Sequence, residues 1–147
     1  MLATWFGCGY SKVAPGTVGT LGALPLVYYL HTLGIVPYWI GTALVTVVGV
    51  WASARTAAEL GQEDPSSVVI DEVSGTLIAI GIGSGLVFRS SLTGALLAVA
   101  LFRFFDIMKP GPIDSVQSLP HGFGIMADDV LAGVAAGMIV DALSPWL

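Results

Sequence analysis

Long apolar stretches dominate the chain, and short segments rich in glycine, proline and polar residues separate them. No Lys, Arg, Asp or Glu occurs between Lys12 and Arg55, and residues 73–88 and 90–102 are also uncharged. Such long apolar runs without evident partner strands favour helices over strands. The pattern therefore predicts an all-α fold: a compact single-domain bundle of about six hydrophobic helices with Gly/Pro-rich loops, over residues 1–147.

Glycine and proline residues mark the expected ends of the helices. The segment 1–20 is rich in glycine and predicts a structured loop, with Ser11 or Thr20 as the cap of the first helix. Two helices follow, with a break near Gly34 and Pro37. Segment 68–80 is ambiguous, and helix is favoured over strand. A break follows at Gly81, Gly83 and Gly85. The remaining expected elements are a helix over about 91–108, a short element within 113–125 and a last helix from about residue 126 to 142.

Composition narrows the class of protein. Hydrophobic residues make up 55% of the chain and charged residues only 10%, and the mean hydropathy is +0.87. The uncharged segment 35–54 has about the length needed to cross a bilayer, which favours membrane association over a compact soluble bundle with a large core. The net charge is −5 and the five basic residues form no tract, so nucleic-acid binding is not expected. The single cysteine, Cys8, excludes an internal disulfide.

Two pairs of adjacent carboxylates interrupt the apolar sequence, Asp71-Glu72 and Asp128-Asp129. A buried carboxylate without a partner is unfavourable, and two adjacent carboxylates repel each other. A hard divalent cation such as Mg²⁺ resolves both problems, because carboxylate oxygens are among its preferred ligands. The alternative is that each pair opens a helix at the surface, where acids interact favourably with the helix dipole.

A third charged cluster places Arg103, Asp106 and Lys109 at positions i, i+3 and i+6 of a predicted helix, roughly on one face. The functional interpretation is one more carboxylate for the metal ion and two cations for phosphate oxygens. The alternative is a solvated stripe of ion pairs. The apolar residues around the cluster favour the functional interpretation, and the three clusters together predict a metal-and-phosphate site.

Segment 15–22 offers backbone N–H groups and hydroxyls near a helix start, with Lys12 just upstream, and such a loop can hold an anion. A tight turn for helix packing explains the same residues equally well. Asp64 precedes Pro65 and is expected to cap a helix, with a ligand role as the less favoured alternative. Glu59, Glu63, Asp114 and Asp141 are expected at the surface, and His31 is expected in the core or at an interface. His121 is either a general acid or a loop residue, and the loop role is favoured.

The sequence contains no serine-nucleophile elbow and no Cys-His zinc spacing, so a metal-activated water is the simplest nucleophile. Four segments, in this order, resemble the phosphatidylglycerophosphatase A family: WFGCGYSKVAPGTVGTLGALP (5–25), DPSSVVIDEVSG (64–75), FRFFDIMKPGPI (102–113) and HGFGIMADDVLAG (121–133). The resemblance implies a helical bundle. It also implies Mg²⁺-dependent hydrolysis of phosphatidylglycerophosphate to phosphatidylglycerol and inorganic phosphate, by a protein of the bacterial inner membrane with its site on the cytoplasmic face.

The resemblance and the charged clusters together imply specific site residues. The expected metal ligands are Asp71, Glu72, Asp106, Asp128 and Asp129. Arg103 and Lys109 are expected to complete the catalytic set by neutralising phosphate oxygens. The expected phosphate-binding residues are Lys12, Gly16, Thr17, Gly19 and Thr20. The chain departs from common family residues at Cys8, at Thr76-Leu77, at Gly111 and at Gly122-Phe123, and none of these departures removes a charged group.

The sequence leaves two other functions open: a non-catalytic membrane protein that binds cations, and a phosphatase acting on another phosphate monoester. The cations beside the acids favour catalysis over plain cation binding. A homo-oligomer is compatible with the sequence. The motifs must meet on one side to form one site. Two apolar segments lie between the first and second motifs and a Gly-broken pair lies between the second and third, which is consistent with this requirement.

Overall fold

The computed structural model describes residues 1–83, 92–120 and 122–147. Within these residues the chain is helical and has no strand, which confirms the all-α prediction. Two short 3-10 helices, Cys8–Tyr10 and Ser144–Trp146, lie near the chain ends. The α-helices are α1 (Pro15–Leu33), α2 (Ile35–Leu60), α3 (Ile70–Gly83), α4 (Leu92–Met108), α5 (Pro112–Val116) and α6 (Gly122–Leu143).

Helix α1 begins earlier than the sequence pattern predicted. Pro15 is its first residue and Ala14 its N-cap, so neither Ser11 nor Thr20 caps it. Proline suits this position because its fixed φ is already helical and it has no N–H group to leave unpaired. The prediction of a loop through residue 20 was therefore wrong.

Helix α6 also begins earlier, at Gly122 instead of residue 126. Gly122 packs so closely on α2 that an added Cβ would overlap the Val50 carbonyl oxygen. Glycine here permits close helix packing and does not break the helix. Gly81 likewise lies inside α3, where an added Cβ would lie 2.6 Å from Tyr38, so the predicted break does not begin there. Gly83 is the last residue of α3. Gly85, the third residue of that predicted break, and His121 lie outside the described residues.

Helix α3 forms the centre of the bundle. It packs against α1, α2, α4 and α6, and all of its residues except Asp71 and Ile82 are buried. Small residues allow α3 and α6 to approach closely, because an added Cβ on Gly133 would lie 2.6 Å from the Gly75 carbonyl oxygen. Such small-residue contacts are typical of helices that pack in a membrane.

The packing contacts establish how the helices run. Tyr38, near the start of α2, donates a hydrogen bond to the Leu77 carbonyl in α3 (2.8 Å), whereas Gly49 in the second half of α2 packs on Met126 near the start of α6. The starts of α1, α3 and α6 therefore meet the ends of α2 and α4. Every charged residue that the structure describes, apart from Asp141, belongs to this charged end.

The outer walls of the bundle are apolar. Val36, Val47 and Trp51 on α2 are 58–69% exposed, and only 22% of the most apolar window of α2 is buried. By length and composition, Ile35–Leu60 and Gly122–Trp146 could each cross a membrane. An exposed apolar face is what a lipid-facing helix presents, so both helices weakly suggest a membrane protein.

Candidate functional site

A pocket of about 270 Å³ opens at the charged end. It is formed by the start of α1, the segment before α3, the first turn of α3, the end of α4 and the second turn of α6. It brings together all seven residues that were predicted to be catalytic. The lining residues are Ala14, Pro15, Gly16, Asp64, Pro65, Ser66, Val68, Asp71, Glu72, Arg103, Asp106, Lys109, Asp128 and Asp129.

The two acid pairs share one local geometry. Asp71 Oδ1 accepts a hydrogen bond from the Glu72 backbone N–H, and Asp128 Oδ1 accepts one from the Asp129 backbone N–H, both at 3.0 Å. The first acid of each pair is thereby tied to its own helix. The second acid of each pair is buried, and Asp128 is buried as well. Asp128 and Asp129 lie two turns inside α6, so the alternative of an exposed helix start does not apply to them.

Arg103 joins two carboxylates from different helices. Its guanidinium forms ion pairs with Glu72 of α3 and with Asp106, one turn further along α4, the latter at 2.7 Å. Glu72 also accepts a hydrogen bond from the Thr20 hydroxyl of α1 (3.3 Å). Burial raises the pKa of Glu72 and the Asp106 charge adds to this, while Arg103 lowers it. The alternative of a solvated stripe of ion pairs therefore does not apply, because Arg103 and Asp106 belong to a partly buried network between three helices.

Lys109 links the end of α4 to α6. Its ammonium group lies 2.6 Å from Asp128 Oδ2, and its backbone has a positive φ of 42°, the conformation in which many helices end. Burial lowers the pKa of Lys109, but its hydrogen bond to Asp128 and the charge of that carboxylate leave it raised overall. Lys109 therefore stays protonated at neutral pH.

The buried acids could hold a metal ion. One carboxylate oxygen from each of Glu72, Asp106 and Asp129 lies within 4.8 Å of the other two. Asp129 Oδ2 is buried and has no hydrogen-bond partner among the described residues. Burial raises the pKa of the nearby Asp71 well above its usual value, and the charge of Glu72 raises it further. Clustered oxygen donors with too little positive charge fit a hard cation such as Mg²⁺.

Comparison with known proteins identifies the family of the chain. The phosphatidylglycerophosphatase A family matches residues 1–144. The chain belongs to the phosphatidylglycerophosphatase A family. A Haemophilus influenzae protein named phosphatidylglycerophosphatase A is 42% identical, covering all of this chain and 89% of its own length. The Escherichia coli K12 protein of the same name is 34% identical, covering 95% of this chain and 80% of its own length.

A third relative carries a different name. A Bacteroides thetaiotaomicron protein named "Putative phosphatidylinositol-3-phosphatase" is 35% identical, covering all of this chain and 93% of its own length. No solved structure matches the chain at a significant level. Both names describe phosphoric monoester hydrolases, and a phosphatidylglycerophosphatase A family member is an enzyme of this class.

The phosphate-binding loop expected from the phosphatidylglycerophosphatase A resemblance is the first turn and a half of α1. Gly16 lines the pocket, and its missing side chain leaves space that Glu72 occupies. Gly19 packs on Val69 of the segment before α3, and Thr20 contacts Glu72. Thr17 and Lys12 are exposed and lie outside the lining of the pocket. The geometry therefore brings one of these five residues to the pocket wall and a second into its hydrogen-bond network.

The favoured prediction for Asp64, that it caps a helix, was wrong. Asp64 precedes α3 by six residues and caps no helix; instead it lines the pocket with Ser66 and accepts a hydrogen bond from the Gln117 side chain (3.3 Å). Its place in segment 64–75, which carries the phosphatidylglycerophosphatase A resemblance, was the available signal. The four acids expected at the surface, Glu59, Glu63, Asp114 and Asp141, are exposed.

Proposed function

We propose that this chain hydrolyses phosphatidylglycerophosphate to phosphatidylglycerol and inorganic phosphate, with Mg²⁺ as its cofactor. The observation that carries the proposal is the pocket itself: six carboxylates and two basic side chains converge at the charged end of an otherwise apolar bundle. Family membership supports the reaction class, and the two relatives named phosphatidylglycerophosphatase A support the substrate.

The carboxylates are proposed as the Mg²⁺ ligands. Glu72, Asp106 and Asp129 form the closest cluster, and Asp71 and Asp128 line the same pocket. When bound there, Mg²⁺ would lower the pKa of a water molecule and offset the negative charge of the phosphate. The unpaired Asp129 oxygen supports this assignment, because a buried acceptor without a partner is unfavourable unless a ligand completes it.

Arg103 and Lys109 are proposed to bind the non-bridging oxygens of the phosphate. Both carry a positive charge at neutral pH and both line the pocket. Charge-assisted hydrogen bonds from such groups stabilise the charge that develops during phosphoryl transfer. Gly16 contributes to the same wall of the pocket, and the first N–H groups of α1 have no acceptor within the helix, which suits an anion.

The membrane setting is part of the proposal. The apolar walls of α2 and α6 would contact lipid, and the charged end would face water at the cytoplasmic surface of a bacterial inner membrane. A lipid phosphate at the membrane surface would then meet the pocket directly. Two candidate spans and the exposed apolar face of α2 support this arrangement.

The test is release of inorganic phosphate from phosphatidylglycerophosphate in detergent micelles, with Mg²⁺ and with EDTA. We expect turnover with Mg²⁺, and its loss in EDTA and in Asp129→Asn. Asp141→Asn is the matched control, because Asp141 lies on the same helix but is exposed near its opposite end. Equal activity of Asp129→Asn and the wild type would refute the assignment of the site.

A second candidate function is hydrolysis of another lipid phosphate monoester. It is favoured by the relative named as a phosphatidylinositol-3-phosphatase. The same assay with phosphatidylinositol 3-phosphate distinguishes the two substrates by their kcat/KM values. Mg²⁺ binding without hydrolysis of either lipid would instead support the non-catalytic cation-binding protein.

A further inference from the structure

A second cavity, which the proposed reaction does not use, lies beside the pocket. It is a groove of about 550 Å³ between the end of α4, α5 and α6. Phe105, Ile113, Leu131, Val134 and Met138 form most of its walls, and none of its nine lining residues carries a charged or polar side chain. Its chemistry is therefore the opposite of that of the charged pocket.

The groove and the pocket have neighbouring residues in their walls. Phe105 precedes the pocket residue Asp106 on α4, and Pro110 follows the pocket residue Lys109. On α6, Leu131 lies one turn after Asp128. A single bound molecule could therefore present a charged group to the pocket and an apolar group to the groove.

The depth of the groove matches one leaflet of a bilayer. Ten residues of α6 separate Asp128 from Met138, which corresponds to roughly 15 Å at about 1.5 Å per residue. The hydrocarbon core of a bilayer is about 30 Å thick. With the pocket at the membrane surface, the groove would extend through the depth that the acyl chains of one leaflet occupy.

We infer that this groove binds an acyl chain of the lipid whose phosphate enters the pocket. The inference rests on the proposed function, and it adds that the protein recognises the tail of its substrate as well as its head group. An uncharged groove whose wall residues adjoin those of a phosphate-type pocket favours one amphiphilic substrate. If a second copy of the chain occupied the groove, the groove would not need to adjoin the pocket.

The test fills the groove and varies the acyl chain. Val134→Trp places a large side chain in the groove, and Val47→Trp makes the same change on the exposed face of α2. The substrates are phosphatidylglycerophosphates with short, medium and long acyl chains in one detergent. We expect wild-type kcat/KM to rise with chain length. Val134→Trp should reduce the long-chain value by about tenfold or more, the loss expected when two or more methylene groups leave an apolar contact.

The controls separate this inference from the proposed function. Val47→Trp should keep the wild-type dependence on chain length, and Val134→Trp should keep the short-chain rate. Activity with an unchanged chain-length profile in Val134→Trp would overturn the inference alone. Wild-type inactivity on every chain length would overturn the proposed function instead.

Two further measurements keep the test decisive. Light scattering in detergent reports the oligomeric state, and a change of state in Val134→Trp but not in Val47→Trp would identify the groove as a subunit interface and overturn the inference. If Val134→Trp does not fold, Met138→Lys places a charge at the exposed end of the groove. This variant should weaken long-chain turnover selectively, and an unchanged profile would overturn the inference.

Discussion

Replacing Asp129 by Asn should stabilise the metal-free protein while it abolishes activity. Asp129 is 2% exposed, and its oxygen lies within 4.8 Å of carboxylate oxygens of Glu72 and Asp106. At this distance and an effective dielectric constant of about 20, two unit charges repel by roughly 3.5 kcal/mol. Arg103 offsets part of this repulsion, and protonation of the carboxylate cluster removes more of it. The neutral amide is therefore expected to raise the free energy of unfolding by about 1–3 kcal/mol.

Thermal unfolding and phosphate release test the two halves of this prediction. In EDTA, the Tm of Asp129→Asn should exceed that of the wild type by several degrees. With Mg²⁺, kcat/KM should fall by at least about 100-fold, the range found when a group that acts on the transition state is removed. Mg²⁺ should also raise the Tm of the wild type more than that of the variant.

A structural role for Asp129 predicts the opposite sign. If the carboxylate mainly stabilises the fold, Asp129→Asn would lower the Tm in EDTA. Activity would then fall only in proportion to the unfolded fraction. That result would refute the reasoning. Asp141→Asn controls for the loss of one negative charge, and it should leave both the Tm and the activity near their wild-type values.

Four other changes follow from the same geometry. Lys109→Met should lower kcat/KM by about 100-fold, because it removes a charge-assisted contact to phosphate. Lys109→Arg should restore part of the wild-type kcat/KM. Phosphate release measures the activity of both variants. Gly16→Ala should impair turnover but not folding, because its Cβ displaces the ends of the Glu72 and Arg103 side chains and meets no backbone atom. Equal kcat/KM would contradict this. Gly133→Ala should lower the Tm, because its Cβ meets a backbone carbonyl of α3 at 2.6 Å. Burial raises the pKa of Asp71 and Glu72, so the folded metal-free protein holds more protons than the unfolded chain. Its Tm should therefore fall as pH rises from about 4. Mg²⁺ should raise the Tm more at pH 8 than at pH 5.

The helical class was predictable because long apolar stretches and helix-ending residues are local signals. Helix α4 and the break at Gly34 lie where these signals put them. The start of α6 was misjudged because glycine has two uses, which sequence alone does not separate. Gly122 looks like a helix breaker, yet it allows α6 to contact the backbone of α2. Only the position of the neighbouring helix distinguishes the two uses.

The acids and bases of the site were predictable, but their hydrogen-bond and ion-pair partners were not. Seven charged residues in apolar surroundings were sufficient to predict one pocket, because unpaired charges in such a chain must meet each other or a ligand. The partners of each charge depend on helix rotation and depth. The contact between Thr20 and Glu72 joins residues 52 positions apart, and no local pattern indicates it. The pocket position of Asp64 likewise depends on how the segment before α3 folds back.

The depth of the carboxylates reconciles a charged site with an apolar body. An ionised side chain at the centre of a bilayer is unfavourable by about 2.5–3.5 kcal/mol on the insertion scale, so several such groups at that depth would oppose insertion strongly. Asp71 and Glu72 occupy the first turn of α3, and Asp129 lies seven residues into α6, roughly 10 Å from its start. Asp129 is buried in the bundle at a point where its backbone packs on α3, so protein and not lipid surrounds it. In the proposed membrane setting, the acids would therefore lie toward the charged end of the bundle, where water is available, while the remainder of each helix stays apolar.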